Sequence, residues 1–129
     1  MIKKVPRIMV DMSATIIHHG HIRLLKRAKK FGYLIVALTS DIEILKNKKF
    51  ITPFKYNQRK EVLKSIKYVD EIVKSNWKIT DEFLKKHNID LLVHGNDNQN
   101  LVDKSKLKIF KRTRGINSTL LRKSIIKNI

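Results

Sequence analysis

Two hydrophobic patterns take turns along this chain. One is a short, nearly continuous apolar run, and the other an apolar residue every third or fourth position. Runs of the first kind predict strands at 5–10, 33–39, 69–73, 89–94 and 107–110, with Pro6 tolerated only near the start of the first. The run YLIVALT at 33–39 is apolar on both sides of the alternation, as in a strand covered on both faces of a parallel sheet. The helical pattern opens at 18–21, carries Ile22, Leu24, Leu25 and Ala28, reaches about Phe31 and stops at Gly32. Ser40-Asp41-Ile42-Glu43 has capping-box spacing and predicts a short helix. A basic loop at 46–52 follows, ended by Pro53. Further helices are predicted over 57–67, with Val62, Leu63 and Ile66 inward, and over 80–87, with Phe83 and Leu84 inward. A last helix begins at Ser118 or Thr119 and carries Leu121 and Ile125.

Strands alternating with helices predict an α/β fold: a single Rossmann-like doubly wound domain over 1–129, with a five-stranded parallel sheet. Such sheets bind ligands outside the carboxyl ends of their strands, near the switch in strand order. The loops at those ends are 11–20, 40–52, 74–79, 94–100 and 112–118. They hold His18 and His19, a lysine cluster, Trp77, the segment His94-Gly95-Asn96-Asp97 and the run Arg112-Thr113-Arg114-Gly115.

Composition narrows the chemistry. With no cysteine, disulfides, thiolate catalysis and Cys-ligated zinc are excluded. No apolar run approaches the ~20 residues of a membrane span, and the opening Met-Ile-Lys-Lys-Val-Pro lacks a signal-peptide core, so no membrane insertion and a cytoplasmic location are expected. A formal charge of +18 favours anionic partners, but the basic residues are spread along the whole chain and reflect composition as readily as function. No basic patch interleaved with aromatics is present, so no specific nucleic-acid partner is expected.

His18-His19-Gly20-His21 stands where the first strand hands over to the first helix. A helix N-terminus attracts phosphate, imidazole adds directed donors and glycine lets a bulky anion approach. Surface histidines or half of a metal site are the alternatives on spacing alone. A zinc site lacks a third ligand at convincing spacing.

The run His18-His19-Gly20-His21 resembles the HxGH signature of the nucleotidyltransferase superfamily, and residues 112–119, RTRGINST, resemble the RTxGISTT signature of its cytidylyltransferase branch. The two lie about ninety residues apart, and Tyr56-Asn57-Gln58-Arg59-Lys60, Tyr68-Val69-Asp70-Glu71 and Asn76-Trp77 between them are similar to the same family. The resemblance is nearest to bacterial glycerol-3-phosphate cytidylyltransferases. It implies transfer of CMP from CTP to a phosphorylated alcohol, with Mg2+ accompanying CTP and a homodimeric state. It also implies that His18, His21, Lys48 and Arg112 are catalytic, with Lys46 and Lys49 as rivals to Lys48 on a mobile loop. Met12, Ser13, Ala14, Gly20, Gly95, Thr113, Gly115, Ile116, Ser118 and Thr119 join His18, His21 and Arg112 at the nucleotide, and Lys48, Lys49, Arg59, Trp77 and Asp97 face the second substrate. His19 is expected to be exposed and replaceable, and His94 to be packed or hydrogen-bonded. The chain departs from the family in carrying Thr15 where an aspartate is usual, Gly95-Asn96-Asp97-Asn98 for Gly-Asp-Asp-Trp, and Ile116-Asn117-Ser118-Thr119 for Ile-Ser-Thr-Thr.

Overall fold

A computed structural model describes residues 4–95, 100, 102–109, 121, 123 and 124. The strands are β1 (Arg7–Met12), β2 (Tyr33–Thr39), β3 (Glu71–Ser75), β4 (Leu91–His94) and β5 (Leu107–Ile109), and every pairing between them is parallel. The helices are α1 (His19–Lys29), α2 (Asp41–Lys48), α3 (Tyr56–Lys64) and α4 (Asp81–Lys86). Leu121, Lys123 and Ser124 are helical where the last helix is expected. The sheet runs β3-β2-β1-β4-β5, a doubly wound order that fits the fold class expected from the alternating pattern. Strand order reverses between β1 and β4, so the crevice of this architecture opens beyond Met12 and His94.

Two apolar layers hold the sheet. Ile8 and Val10 of β1 and Leu34, Val36 and Leu38 of β2 pack with Leu25 and Ala28 of α1 and Leu63 of α3. Met9, Ile35, Ala37 and Leu92 point to the other face, where Leu84 of α4, Ile79 and Ile89 cover them. Residues 34 to 39 are all buried because the sheet is covered on both sides. Each fully buried leucine or isoleucine contributes about 1.5–3 kcal/mol, so β2 forms the centre of the domain.

The observed boundaries differ from the apolar runs for physical reasons. β3 and β4 begin at Glu71 and Leu91 rather than at positions 69 and 89. An aspartate precedes each strand and occupies the neighbouring strand's first donor. Asp70 accepts from the Leu34 N–H at 2.8 Å and from Lys29 Nζ at 2.6 Å; Asp90 accepts from the Arg7 N–H at 2.9 Å. Desolvation on burial raises the Asp70 carboxyl's pKa, but the Leu34 N–H and Lys29 outweigh this and hold it below the usual value. β1 starts later than expected, at Arg7, and continues to Met12.

Gly32 does not cap α1, whose C-cap is Lys30. It lies in the turn into β2, where a Cβ would meet the Pro6 carbonyl oxygen at 2.1 Å. The basic segment at 46–52 is in part the end of α2, which runs to Lys48 and closes at Lys49 in the left-handed region (φ 60°). Lys46 and Lys48 are therefore helical. Val62, expected inward, is 48% exposed, while Leu63 beside it is fully buried. The helix turns Arg59 and Leu63, four positions apart, toward the sheet instead.

Candidate functional site

The β1–α1 connection is built around its histidines. His18 is the extended N-cap of α1, and its Nδ1 accepts from the Gly20 N–H at 3.0 Å. His21, at the third helical position, returns the bond: its Nδ1 accepts from the His18 N–H at 3.1 Å. The two rings lie 4.1 Å apart, tilted by 49°. This is a capping box in which imidazoles replace the usual hydroxyl and carboxylate. Because each Nδ1 accepts, the neutral form of each ring carries its proton on Nε2. Burial, and secondarily the neighbouring His19, lowers the His18 pKa from 6.5. The N–H groups of His21 and Ile22 bond to the His18 carbonyl at 3.1 and 3.3 Å. An anion at this turn meets imidazole edges and the helix dipole rather than a row of unbonded backbone donors.

The loop before the cap is held from behind. Ala14 is buried and left-handed at φ 50°, a strained conformation for a residue with a Cβ. Thr39 Oγ1 donates to the Met12 carbonyl at 3.3 Å. Arg59 supplies the main support. Its Nη1 donates to the carbonyls of Ser13 at 2.6 Å and Thr39 at 2.9 Å, its Nε to Phe54 at 3.1 Å, and its Nη2 to Asp41 Oδ1 at 2.7 Å. Arg59, expected to face the second substrate, is 1% exposed and braces the β1, β2 and α2 junction from inside. Burial raises the Asp41 pKa, and the bonds from Arg59 and the Tyr56 N–H more than reverse that, leaving it lowered.

Lys48 and Trp77, far apart in sequence, come together on the same end of the sheet. Lys48 Nζ lies 5.7 Å from the centre of the Trp77 ring, and Glu43 accepts from the Trp77 N–H at 3.1 Å. Only half of the Ser40–Glu43 capping box therefore forms: Ser40 Oγ accepts from the Glu43 N–H at 3.4 Å while the Glu43 carboxylate crosses to the β3–α4 loop. Lys49 is exposed. Thr15 is 1% exposed at the position where an aspartate is usual in the resembling family.

Across the switch point, His94 Nδ1 lies 2.5 Å from Asp11 Oδ1, with Asn100 also bound to Asp11. Hydrophobic patterning marks Asp11 only as the first residue after a strand and His94 only as the polar last residue of one. Their meeting depends on strand order, which adjacent sequence does not reveal. Asp41 is missed for the same reason. Gly95 follows β4, whereas Asp97, Arg112, Thr113, Gly115, Ile116, Ser118 and Thr119 lie outside the described residues.

The model of the cytidylyltransferase-like family matches residues 13–126, most of the chain. The chain belongs to the cytidylyltransferase-like family. It is 36% identical over 126 residues to the glycerol-3-phosphate cytidylyltransferase of Staphylococcus aureus, covering 92% of this chain and 94% of that protein. Identity to the Bacillus subtilis protein of the same name is 38% over 117 residues, covering 85% of this chain and 89% of that one. The ethanolamine-phosphate cytidylyltransferase of Arabidopsis thaliana is 33% identical over 91% of this chain, which spans 31% of that longer protein. Among solved structures, the lipopolysaccharide core biosynthesis protein of Thermoplasma volcanium superposes with a TM-score of 0.69, covering 85% of this chain and 98% of that one. At 24% identity it shares the fold. As a member of the cytidylyltransferase-like family, the chain is a nucleotidyltransferase. Among the described residues no helix is long and apolar enough to cross a membrane.

Proposed function

We propose that the protein transfers CMP from CTP to a phosphorylated alcohol, with glycerol 3-phosphate the first acceptor to test, giving a CDP-alcohol and pyrophosphate for surface-polymer or lipid head-group synthesis. The observation that carries the proposal is the reciprocal His18–His21 cap at the start of α1, in a chain whose full-length relatives are named glycerol-3-phosphate cytidylyltransferases.

An oxygen of the acceptor phosphate attacks the α-phosphorus of CTP in line, and the bond from that phosphorus to the bridging oxygen breaks. No protein nucleophile is needed. The protein's task is to align two anions and stabilise charge on the leaving pyrophosphate. The Nε2–H groups of His18 and His21 serve as donors to the triphosphate, and the Lys48–Trp77 pair presents a cation and a ring face to the second substrate. Arg112, Thr113, Ser118 and Thr119 complete the triphosphate site in this reading.

Mg2+ belongs to the proposal as the companion of CTP. It prefers oxygen ligands and commonly rides on phosphates with few protein groups. Among the described residues no group of three or more His, Cys, Asp or Glu side chains is placed to hold a metal by itself. The ion would partly neutralise the triphosphate while the two imidazoles bind it. A homodimer and a cytoplasmic location form part of the same proposal.

The test is pyrophosphate release from CTP and magnesium with a panel of phospho-alcohols, with ATP in place of CTP as a parallel arm. His21→Ala is expected to lose several orders of magnitude in turnover while remaining folded. An unaffected His21→Ala enzyme, or no turnover of CTP with any acceptor, refutes the reading.

A further inference from the structure

Asp11 stands one residue beyond the Val10–Val93 register pair, which makes His94 its neighbour across the two central strands. His94 Nδ1 is 2.5 Å from Asp11 Oδ1; Asn100 Nδ2 donates to Asp11 Oδ2 at 2.8 Å; and the Asn100 Oδ1 accepts from the Ile79 N–H at 2.6 Å. The side chains of Asp11 and His94 are 9% and 17% exposed. A carboxylate so far out of water is costly unless its oxygens are engaged, and here each oxygen has a donor. With Asp11 as acceptor, the bonded imidazole proton is on Nδ1, the opposite arrangement to that in His18 and His21.

This contact sits at the switch in strand order. The residues that follow its two members are Met12 on one strand and Gly95 on the other, both assigned to the nucleotide in the reading above. An apolar pair would join the strands as stably, but dispersion tolerates sliding. A short, charge-assisted hydrogen bond has a narrow geometry.

We propose that Asp11 and His94 are a positioning pair: their contact holds the exits of β1 and β4 at one separation, so that 12–14 and Gly95 form a preformed cleft for a nucleoside triphosphate. The proposal rests on the cytidylyl-transfer reading and adds two residues that lie outside the HxGH and RTxGISTT runs at 18–21 and 112–119.

The test uses the whole chain, with Asp11→Ala, His94→Ala, the double variant and His94→Asn. The last keeps an amide donor close to the position of Nδ1. Steady-state kinetics with magnesium–CTP and the best wild-type acceptor are combined with proton NMR of the imidazole N–H. In each alanine variant KM for CTP rises about tenfold with kcat changed far less, the scale expected when a binding surface shifts by a fraction of an ångström. The double variant is no worse than either single one, because both remove the same contact. His94→Asn returns KM to near the wild-type value. The wild-type spectrum holds a downfield, exchange-protected Nδ1 proton that both alanine variants lose. If Asp11→Ala does not fold, the comparison of His94→Ala with His94→Asn decides. Fully folded alanine variants with wild-type KM assign the contact to stability alone and overturn the proposal, as do effects that add in the double variant. A wild-type chain that neither turns over CTP nor is stabilised by it overturns the transfer reading, and the proposal with it. Wild-type turnover with an unmoved KM in the variants overturns the positioning role alone.

Discussion

Replacing Arg59 with methionine removes a buried cation while keeping much of its aliphatic volume. In the native chain the guanidinium makes four hydrogen bonds, three to carbonyls and one to the Asp41 carboxylate. Breaking a buried charge pair from one side costs about 3–5 kcal/mol. Asp41 is 38% exposed and recovers water once abandoned, which favours the lower end of that range. The carbonyls of Ser13 and Thr39 are less easily rehydrated, so a loss of about 3 kcal/mol is expected. That is a large share of the ~5–15 kcal/mol that holds a typical domain together. With a urea m-value of about 1.5 kcal/mol/M, the unfolding midpoint falls by about 2 M at unchanged slope. Arg59→Lys keeps the charge without the planar fork and recovers only part of the loss. Below the unfolding transition, the freed Ser13 carbonyl also lets the strained turn at Ala14 relax, and KM for CTP rises. A methionine variant that unfolds within about 0.5 M of wild type refutes the bracing role.

Three other outcomes follow from local geometry. His18 titrates below 6.5 in an NMR experiment without ligand, and its midpoint rises in His19→Ala, because burial and then the neighbouring imidazole disfavour its charged form. Its folded-state pKa is depressed, so its stabilising contribution is complete above 6.5 and is lost as pH falls from there toward the folded value; a flat stability profile through that window contradicts the assignment. Gly32→Ala destabilises by about 2 kcal/mol or more, read as a lowered melting temperature, because the new Cβ would lie 2.1 Å from the Pro6 oxygen. Trp77 is the only tryptophan, so its fluorescence reports on the Lys48 contact; saturating CTP and acceptor analogue change it in wild type and change it much less in Lys48→Ala. An unchanged spectrum during active turnover removes Trp77 from the site.

Much of this architecture could be read without coordinates because short-range patterning records burial. YLIVALT is apolar on both sides and becomes a strand covered on both faces. Gly20 and the flanking histidines mark a helix start, and the helix starts there. Apolar character does not amount to burial at Val62, because the helix turns the long side chain of Arg59 toward the sheet. The lysines of 46–49 looked like a loop because charge resembles solvation, whereas α2 carries that charge on its last turn, where the helix dipole favours it.

By itself, the sequence determined the alternation of strand and helix, the parallel sheet, the family and the two histidines at the first turn, since each is written in contiguous residues. Only the tertiary structure decided that Arg59 is a brace rather than a substrate contact, that Lys48 meets Trp77, and that Asp11 meets His94. Those pairings depend on which strands lie side by side and which way each helix is turned. That choice is made by burying the two faces of the sheet together, a sum over the whole chain that no local segment contains.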